Sequence, residues 1–199
     1  SRPHVSTVSL PVTERALNVL WHRLNVPLSV ERLARKRFDI FHAPNFALPP
    51  LRSAKGIVTV HDHTFLRYPD GAVPSLRNFL SKVVPASLRR AQLVIADSQA
   101  TKDDLIELYR VDAERIAVVY AGVDARFRPV RDASVLAQTR AQYRLERPFV
   151  LGVGTLEPRK NFVGLIRAFT LLLREHPSLP HDLVIVGRDG WLYEPIHEE

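Results

Sequence analysis

Short apolar runs alternate with longer amphipathic stretches along the first 122 residues of the chain. The runs are rich in β-branched residues and end in polar or small ones, which is typical of buried parallel strands. They read FDIFHA at residues 38–43, GIVTVHD at 56–62, QLVIADS at 92–98 and RIAVVYAG at 115–122. The pattern therefore predicts the buried strands of a parallel sheet.

The stretches between these runs have helical periodicity. One apolar stripe consists of Leu76, Phe79, Leu80, Val83 and Val84. Pro85 is expected to kink or restart that helix, because proline removes a backbone donor. A further helix is predicted at residues 102–110, with Ser98 or Thr101 as its N-cap. Strands that alternate with helices indicate an α/β sheet with right-handed crossovers.

A second α/β unit is predicted towards the end of the chain. Residues 123–148 carry no strand-like run, two prolines and many charges, so we interpret them as a connection. A strand (PFVLGVG, 148–154), a helix behind Asn161 and another strand (DLVIVG, 182–187) follow. The helix carries a core stripe made of Phe162, Leu165, Ile166, Phe169, Leu172 and Leu173. The predicted parts are a first Rossmann-like domain at 1–124, a linker at 125–147 and the start of a second Rossmann-like domain at 148–199.

Composition narrows the class of protein. With 199 residues, 46% of them hydrophobic and 25% charged, the chain can bury a real core. It has no apolar run of about 18 residues and nothing like a signal peptide, so we expect a cytoplasmic protein. The absence of cysteine excludes disulfides and thiolate metal sites in this sequence.

The formal net charge of +7 comes mostly from arginine. The basic residues are scattered and no RNA-binding or zinc-finger spacing accompanies them, so no nucleic-acid partner is expected. The densest cluster is Arg32, Arg35, Lys36 and Arg37. It closes a helical pattern, where cations favour the helix C-terminus. The alternative is a patch for a partner or for peripheral contact with the inner membrane surface.

The segment GVGTLEPRKN, residues 152–161, joins a predicted strand to a predicted helix. Its glycines would let a ligand approach the backbone, and the helix start favours anions. Arg159 and Lys160 add charged donors that suit a diphosphate. A dinucleotide fingerprint would need a glycine where Glu157 stands, and a G-K-[ST] phosphate loop is absent. From the spacing alone, Arg159 and Lys160 fit a solvated turn equally well.

Several motifs in order resemble retaining glycosyltransferases of family 4, which have the GT-B architecture of two Rossmann-like domains. The segments GVGTLEPRKNFVGLIRAF and LVIVGRDGWLYEPI are similar to the start of the family's donor-binding domain. The earlier segments HAPNFALP, IVTVHDHTFLRYPD, ADSQATKDDL and VVYAGVDARFRP are similar to its acceptor-side domain. The sequences of these segments are most similar to bacterial group 1 mannosyltransferases of surface-polysaccharide assembly.

The resemblance implies roles for individual residues. Arg159 and Lys160 would bind the donor diphosphate and stabilise the departing nucleotide, while Gly154 and Thr155 would line the same pocket. His61 resembles the family histidine near the transferred sugar. The family usually needs no metal or cofactor for chemistry, and the donor would be GDP-mannose or a UDP-sugar. The acceptor would be a glycan or a lipid-linked molecule.

Other readings of these residues stay open. A histidine at a strand end is often structural, and the HDH triplet at 61–63 could suggest a metal site. His61 and His63 could share a face of the strand while Asp62 could not, and two ligands leave a zinc site incomplete. Asp62 is a nearby candidate for substrate binding. Asn45 could contact the acceptor or pack within its loop.

The chain also departs from the family pattern. It ends before any glutamate pair spaced E-x7-E, which holds sugar and ribose in the family, and the usual opening strand and glycine-rich loop are not visible. We therefore expect a fragment of a two-domain retaining glycosyltransferase that alone could be inactive. The alternative is a truncated, non-catalytic module that binds acceptor or partner.

Overall fold

A computed structural model describes residues 7–9, 12–24 and 26–199. The chain divides into two compact units, with the boundary between Gly122 and Val123. In the described residues the strands are Ile40–Ala43 (β1), Lys55–Val60 (β2), Leu93–Ala96 (β3), Ile116–Val118 (β4), Phe149–Val153 (β5) and Asp182–Val186 (β6). The α-helices are Glu14–Asn18 (α1), Val30–Ala34 (α2), Thr64–Arg67 (α3), Pro74–Arg90 (α4), Gln99–Tyr109 (α5), Ala133–Gln142 (α6), Phe162–Glu175 (α7) and Glu194–Glu198 (α8). A π-helical turn, Val19–Arg23, continues α1.

The first unit contains a parallel sheet in the order β1-β2-β3-β4. The register pairs Ile40 with Lys55 and Ile57 with Leu93, and Val94 with Ile116. The predicted parallel strands are confirmed, but β1 is mostly exposed rather than buried, with Ile40 59% exposed. Strands β2, β3 and β4 end before their apolar runs do, because the polar or small residues that close these runs lie beyond the carboxyl edge of the sheet. Those residues are therefore on loops, where side chains are available for chemistry.

The core of the first unit lies between the sheet and the helices α4 and α5. Its fully buried side chains include Leu48, Val58, Val60, Val83, Val84, Val94 and Leu105. Ser98 is the N-cap of α5 and accepts a hydrogen bond from the backbone N–H of Thr101 at 3.1 Å, as one of the predicted alternatives states. This cap fixes the start of α5 at the carboxyl edge of the sheet.

Helix α4 differs from its prediction in two respects. It runs without interruption through Pro85, so the expected restart is wrong. Pro85 does remove one helical donor, but the neighbouring Val83 and Val84 are buried in the core and hold the helix in place. Leu76, expected in the apolar stripe, is 49% exposed. The buried face of α4 begins one turn later, at Leu80.

The second unit contains the parallel pair β5 and β6, with α7 packed against it. Residues 125–147, predicted as a linker, include helix α6 and fall within this unit. The core stripe of α7 is only partly covered, since Phe162 is buried but Leu172 is 38% exposed. None of the helices in the described part of the chain has the length and apolarity needed to span a bilayer.

Candidate active site

His61 lies directly after β2, at the carboxyl edge of the first sheet, where the sequence places it. Its Nδ1 is 2.6 Å from Oδ2 of Asp97, the residue that follows β3. Its Nε2 is 3.0 Å from the carbonyl oxygen of Pro44, which follows β1. The ring, at the end of β2, is therefore held by groups at the ends of the two neighbouring strands. Its side chain remains 41% exposed, so a ligand can reach it.

The partners of His61 define what the ring can do. The carbonyl oxygen of Pro44 can only accept a hydrogen bond, so Nε2 donates to it. A carboxylate oxygen of Asp97 faces Nδ1. Because both ring nitrogens are engaged by protein groups, neither is free to act as a general base towards a ligand.

Two further contacts fix the position of His61. The Phe46 ring meets the imidazole edge to face, with ring centres 5.3 Å apart. Phe46 has a left-handed backbone (φ 55°), and its N–H donates to the carbonyl of Thr59 at 2.9 Å. The hydroxyl of Thr101 donates to the His61 carbonyl at 2.9 Å. These contacts come from two other chain segments and pre-organise the ring before any ligand binds.

Asp62 and His63 have different surroundings from His61. Oδ1 of Asp62 accepts hydrogen bonds from the backbone N–H and the hydroxyl of Thr64, at 2.9 and 2.7 Å. Asp62 thus stabilises the start of α3 through its Oδ1. The side chain of His63 is fully buried, whereas that of His61 is exposed, so the expected shared face is wrong. The reason is that β2 ends at Val60 and strand alternation ends with it.

His63 is buried in the first unit, against the rings of Phe65 and Tyr109. Burial lowers the pKa of its imidazole, and Asp104, 3.6 Å away, opposes that shift only in part. Tyr109 packs beside it, with ring centres 5.4 Å apart, and burial together with Asp104 raises the pKa of Tyr109 to about 12. Among the described residues, no group of three or more His, Cys, Asp or Glu side chains could hold a metal ion.

Arg67 ties the loop that carries His61 to helix α5. Its guanidinium donates to Asp104 at 2.6 and 2.9 Å and to Glu107 at 2.6 and 3.3 Å. These carboxylates raise the pKa of Arg67, and Arg67 in turn lowers the pKa of Glu107. The paired, forked geometry orients α3 on α5. Asn45, a predicted acceptor contact, lies exposed on the loop beside Pro44.

The second predicted group of site residues lies after β5. Gly154 has a φ of +157°, and its N–H donates to the carbonyl of Val186 at 2.9 Å. The loop after β6 approaches closely, because a Cβ on Gly187 would lie 1.8 Å from the carbonyl oxygen of Gly154. Thr155 is partly buried beside Gly190, where a Cβ would meet its methyl group at 2.8 Å. The two loops therefore form one packed platform at the end of the strands.

The side chain of Lys160 lies along this platform, next to Gly154. The Cδ and Cε atoms of its stem pass 3.7 Å from the position of a Cβ on Gly154. The side chain is exposed, and no carboxylate in the described part of the chain lies within ion-pair distance of its ammonium. Asn161 caps α7 by accepting from the N–H of Gly164 at 3.3 Å. Lys160 thus presents a positive charge over a glycine floor at a helix start.

Arg159 has a partner that sequence reasoning missed. Its Nη2 is 2.5 Å from Oε1 of Glu157, which is only 3% exposed. The contact is an ion pair without hydrogen-bond alignment, since that oxygen has no hydrogen-bond partner among the described residues. The only signal in the sequence is a carboxylate two positions before the arginine. Arg159 is therefore positioned by Glu157 and remains partly exposed towards solvent.

Comparisons with known proteins identify the family of the chain. The profile described as Glycosyltransferase Family 4 matches residues 2–127. The O-antigen chain mannosyltransferase B of Escherichia coli is 29% identical over 152 residues, which cover 76% of this chain and 39% of that protein. The D-inositol 3-phosphate glycosyltransferase of Salinispora tropica is 37% identical over 105 residues, which cover 50% of this chain and 22% of that protein. The chain thus spans well under half the length of these relatives.

Solved structures give the same fold. The crystal structure of Anabaena Alr3699/HepE in complex with UDP and glucose has a TM-score of 0.55 and 25% identity, covering 73% of this chain and 36% of that one. A glycosyltransferase from Rickettsia africae has a TM-score of 0.50 and 17% identity, over 94% of this chain and 55% of that one, which concerns the fold alone. The fold class is the α/β type of GT-B glycosyltransferases. With its profile match, parallel sheet and relatives, the chain belongs to glycosyltransferase family 4.

Proposed function

We propose that this protein transfers a sugar from a nucleotide-sugar donor to an acceptor hydroxyl with retention of configuration. Membership of the family supports sugar transfer in general. One observation supports the donor site above the others. Lys160 lies over the Gly154 floor with its ammonium exposed and unpaired among the described carboxylates. A diphosphate is the ligand that best fits a cation, a glycine loop and a helix start together.

The proposed mechanism gives a role to five of the predicted residues. Lys160 and Arg159 bind the donor diphosphate, with Arg159 held in place by Glu157. Gly154 and Thr155 form the floor of that pocket. His61 lies near the reacting centre and orients the transferred sugar. A leaving-group phosphate oxygen takes the proton of the acceptor hydroxyl, so the reaction needs no general base from the ring, in keeping with its two hydrogen bonds to acceptors.

The donor and the biological role are the finer parts of this proposal. The names of the relatives favour mannose transfer in O-antigen assembly or transfer to D-inositol 3-phosphate. The structural neighbour was crystallised with UDP and glucose. We therefore propose GDP-mannose or a UDP-sugar as donor, a glycan or lipid-linked acceptor, and a role in bacterial surface polysaccharide assembly at the cytoplasmic side.

Calorimetric titration with GDP and UDP tests the donor site. The Arg159→Ala/Lys160→Ala variant should bind the preferred nucleotide more weakly by more than about 2 kcal/mol, because each charge-assisted hydrogen bond contributes roughly 1.5–3 kcal/mol. The matched control is Arg131→Ala/Arg174→Ala, which removes the same charge from exposed positions of the same unit. Unchanged affinity in the first variant, or an equal loss in both, would disprove the pocket.

We also propose that the basic cluster after α2 contacts anionic lipid. Arg35 is the C-cap of α2 in a left-handed conformation. A cavity of about 560 Å³ is lined by five basic residues, Arg32, Arg35, Lys36, Arg37 and Arg52, together with Glu31 and Ser53. Arg35→Glu/Arg37→Glu should reduce salt-sensitive binding to phosphatidylglycerol vesicles, whereas Arg131→Glu/Arg174→Glu should reduce it less. Equal binding by the two variants would argue against a lipid patch.

A further inference from the structure

A second cavity of the first unit lies away from every residue assigned so far. One wall is the face of α1 and the π-helical turn that carries Arg15, Val19 and Arg23. The other wall is the first half of α4. The two walls meet where the rings of His22 and Phe79 pack edge to face, with centres 6.0 Å apart. The cavity has a volume of about 1030 Å³, which is large enough for a small organic ligand.

The polar lining of the cavity carries one sign of charge. Arg15, Arg23 and Lys82 contribute three cations from the two walls. In the described part of the chain no acidic side chain lines the cavity, and none of these three cations forms an ion pair. Like charges around a common space repel one another, and an anion placed among them relieves that repulsion. The lining is therefore complementary to a negatively charged ligand.

The uncharged lining residues favour a phosphate group with a larger body attached. Asn18, Ser75 and Asn78 add an amide, a hydroxyl and another amide that can bond phosphate or sugar oxygens. Val19 and Phe79 supply apolar surface in the same cavity. Burial, with Arg90 nearby, lowers the pKa of His22, so its ring forms a neutral wall between the cations.

The cavity is connected in sequence to the His61 site, which suits it to an acceptor. The segment that leaves the carboxyl edge of the sheet at His61 continues through α3 into α4. The part of α4 that lines the cavity, from Ser75 to Lys82, belongs to its first half. An acceptor group bound there would belong to the same unit as the His61 site.

We propose that this cavity binds the phosphate or diphosphate group of an anionic acceptor. The identification as acceptor rests on the proposed sugar transfer, whereas the anion site itself rests on the cavity alone. The group could belong to a soluble phosphorylated sugar or to a sugar carried on a prenyl diphosphate, and in either case a sugar hydroxyl accepts the transferred sugar. Both share the diphosphate-type chemistry that three cations and three hydrogen-bonding side chains recognise.

Calorimetric titration with inorganic pyrophosphate tests the site in the full chain. All variants carry Arg159→Ala/Lys160→Ala, so that the proposed donor pocket does not contribute. Adding Arg23→Gln/Lys82→Gln should weaken pyrophosphate binding by at least about tenfold. The matched control adds Arg77→Gln/Arg89→Gln, which removes the same charge from exposed positions of the same helical region outside the cavity. Circular dichroism melting curves verify that both variants are folded.

The outcomes separate this proposal from the donor proposal. Loss of binding in the cavity variant with retention in the control supports the anion site. Equal pyrophosphate affinity in the two variants, or no pyrophosphate binding at all, overturns the anion site. This conclusion does not depend on how tightly GDP and UDP bind to the chain with intact Arg159 and Lys160. Geranyl diphosphate distinguishes the sources. Tighter binding than pyrophosphate, lost in the same variant, indicates a lipid-linked ligand, and equal binding indicates a soluble one.

Discussion

Glu31 offers the sharpest test of how the first unit is held together. Its side chain is only 7% exposed, and its Oε1 accepts backbone N–H groups of Arg52, Ser53 and Ala54 at 2.9, 3.0 and 3.1 Å. The perturbation is Glu31→Gln, which keeps the shape but removes the charge. Oε2 is buried without a hydrogen-bond partner among the described residues, so the new amide nitrogen would be buried without an acceptor.

The magnitude follows from the pKa of Glu31. Burial would raise this pKa, but the backbone hydrogen bonds outweigh it and lower the pKa from 4.5 to about 2. A shift of that size corresponds to about 3 kcal/mol of folding free energy at neutral pH. Because the folded pKa is depressed, this contribution is complete above pH 4.5 and is lost as the pH falls towards 2. We expect Glu31→Gln to lose about 2–3 kcal/mol at pH 7.

Urea unfolding followed by tryptophan fluorescence measures this loss. The sequence has two tryptophans, so Trp191→Phe leaves Trp21 in the first unit as the reporter. The midpoint should fall by about 1 M or more at pH 7. At about pH 3 the difference from the parent should shrink by roughly half or more. Glu114→Gln, an exposed position, is the control. A small loss at pH 7, or a large loss that does not change with pH, would refute the reasoning.

The remaining predictions concern the two halves of the candidate site. Gly187→Ala should abolish most nucleotide binding, because its Cβ would lie 1.8 Å from the Gly154 carbonyl oxygen. A Cβ at Gly122 meets no atom within 4 Å, so Gly122→Ala should bind nucleotide normally. Titration calorimetry compares the nucleotide affinities of the two variants, and normal affinity in Gly187→Ala would show that the donor site does not depend on the packing of these two loops. In the complete enzyme, His61→Ala should lower kcat by a larger factor than it weakens nucleotide affinity. Equal losses of turnover and affinity would instead indicate that His61 supports folding.

The pattern of apolar runs was sufficient to predict the parallel α/β architecture. Parallel strands buried on both faces need nearly continuous apolar residues, and such runs are visible without any partner. The polar residues that end each run, His61 among them, were correctly expected at the carboxyl edge, because that edge is where a parallel strand leaves the sheet. The glycines before Lys160 were interpreted as room for a ligand, and the close approach of the Gly187 loop to Gly154 was not predicted.

Only the tertiary structure shows which residues distant in the sequence are in contact. Asp97 and Pro44 lie 36 and 17 positions from His61, and periodicity carries no information about which strand ends meet. The pairing of Glu157 with Arg159 and the burial of Glu31 under residues 52–54 depend on loop geometry, which follows local backbone conformation and packing. The cation-lined cavity arises where α1 and its π-helical turn pack on α4. The sequence determines strands and helices because their patterns are local, whereas a site is formed by contacts between segments that only the folded chain brings together.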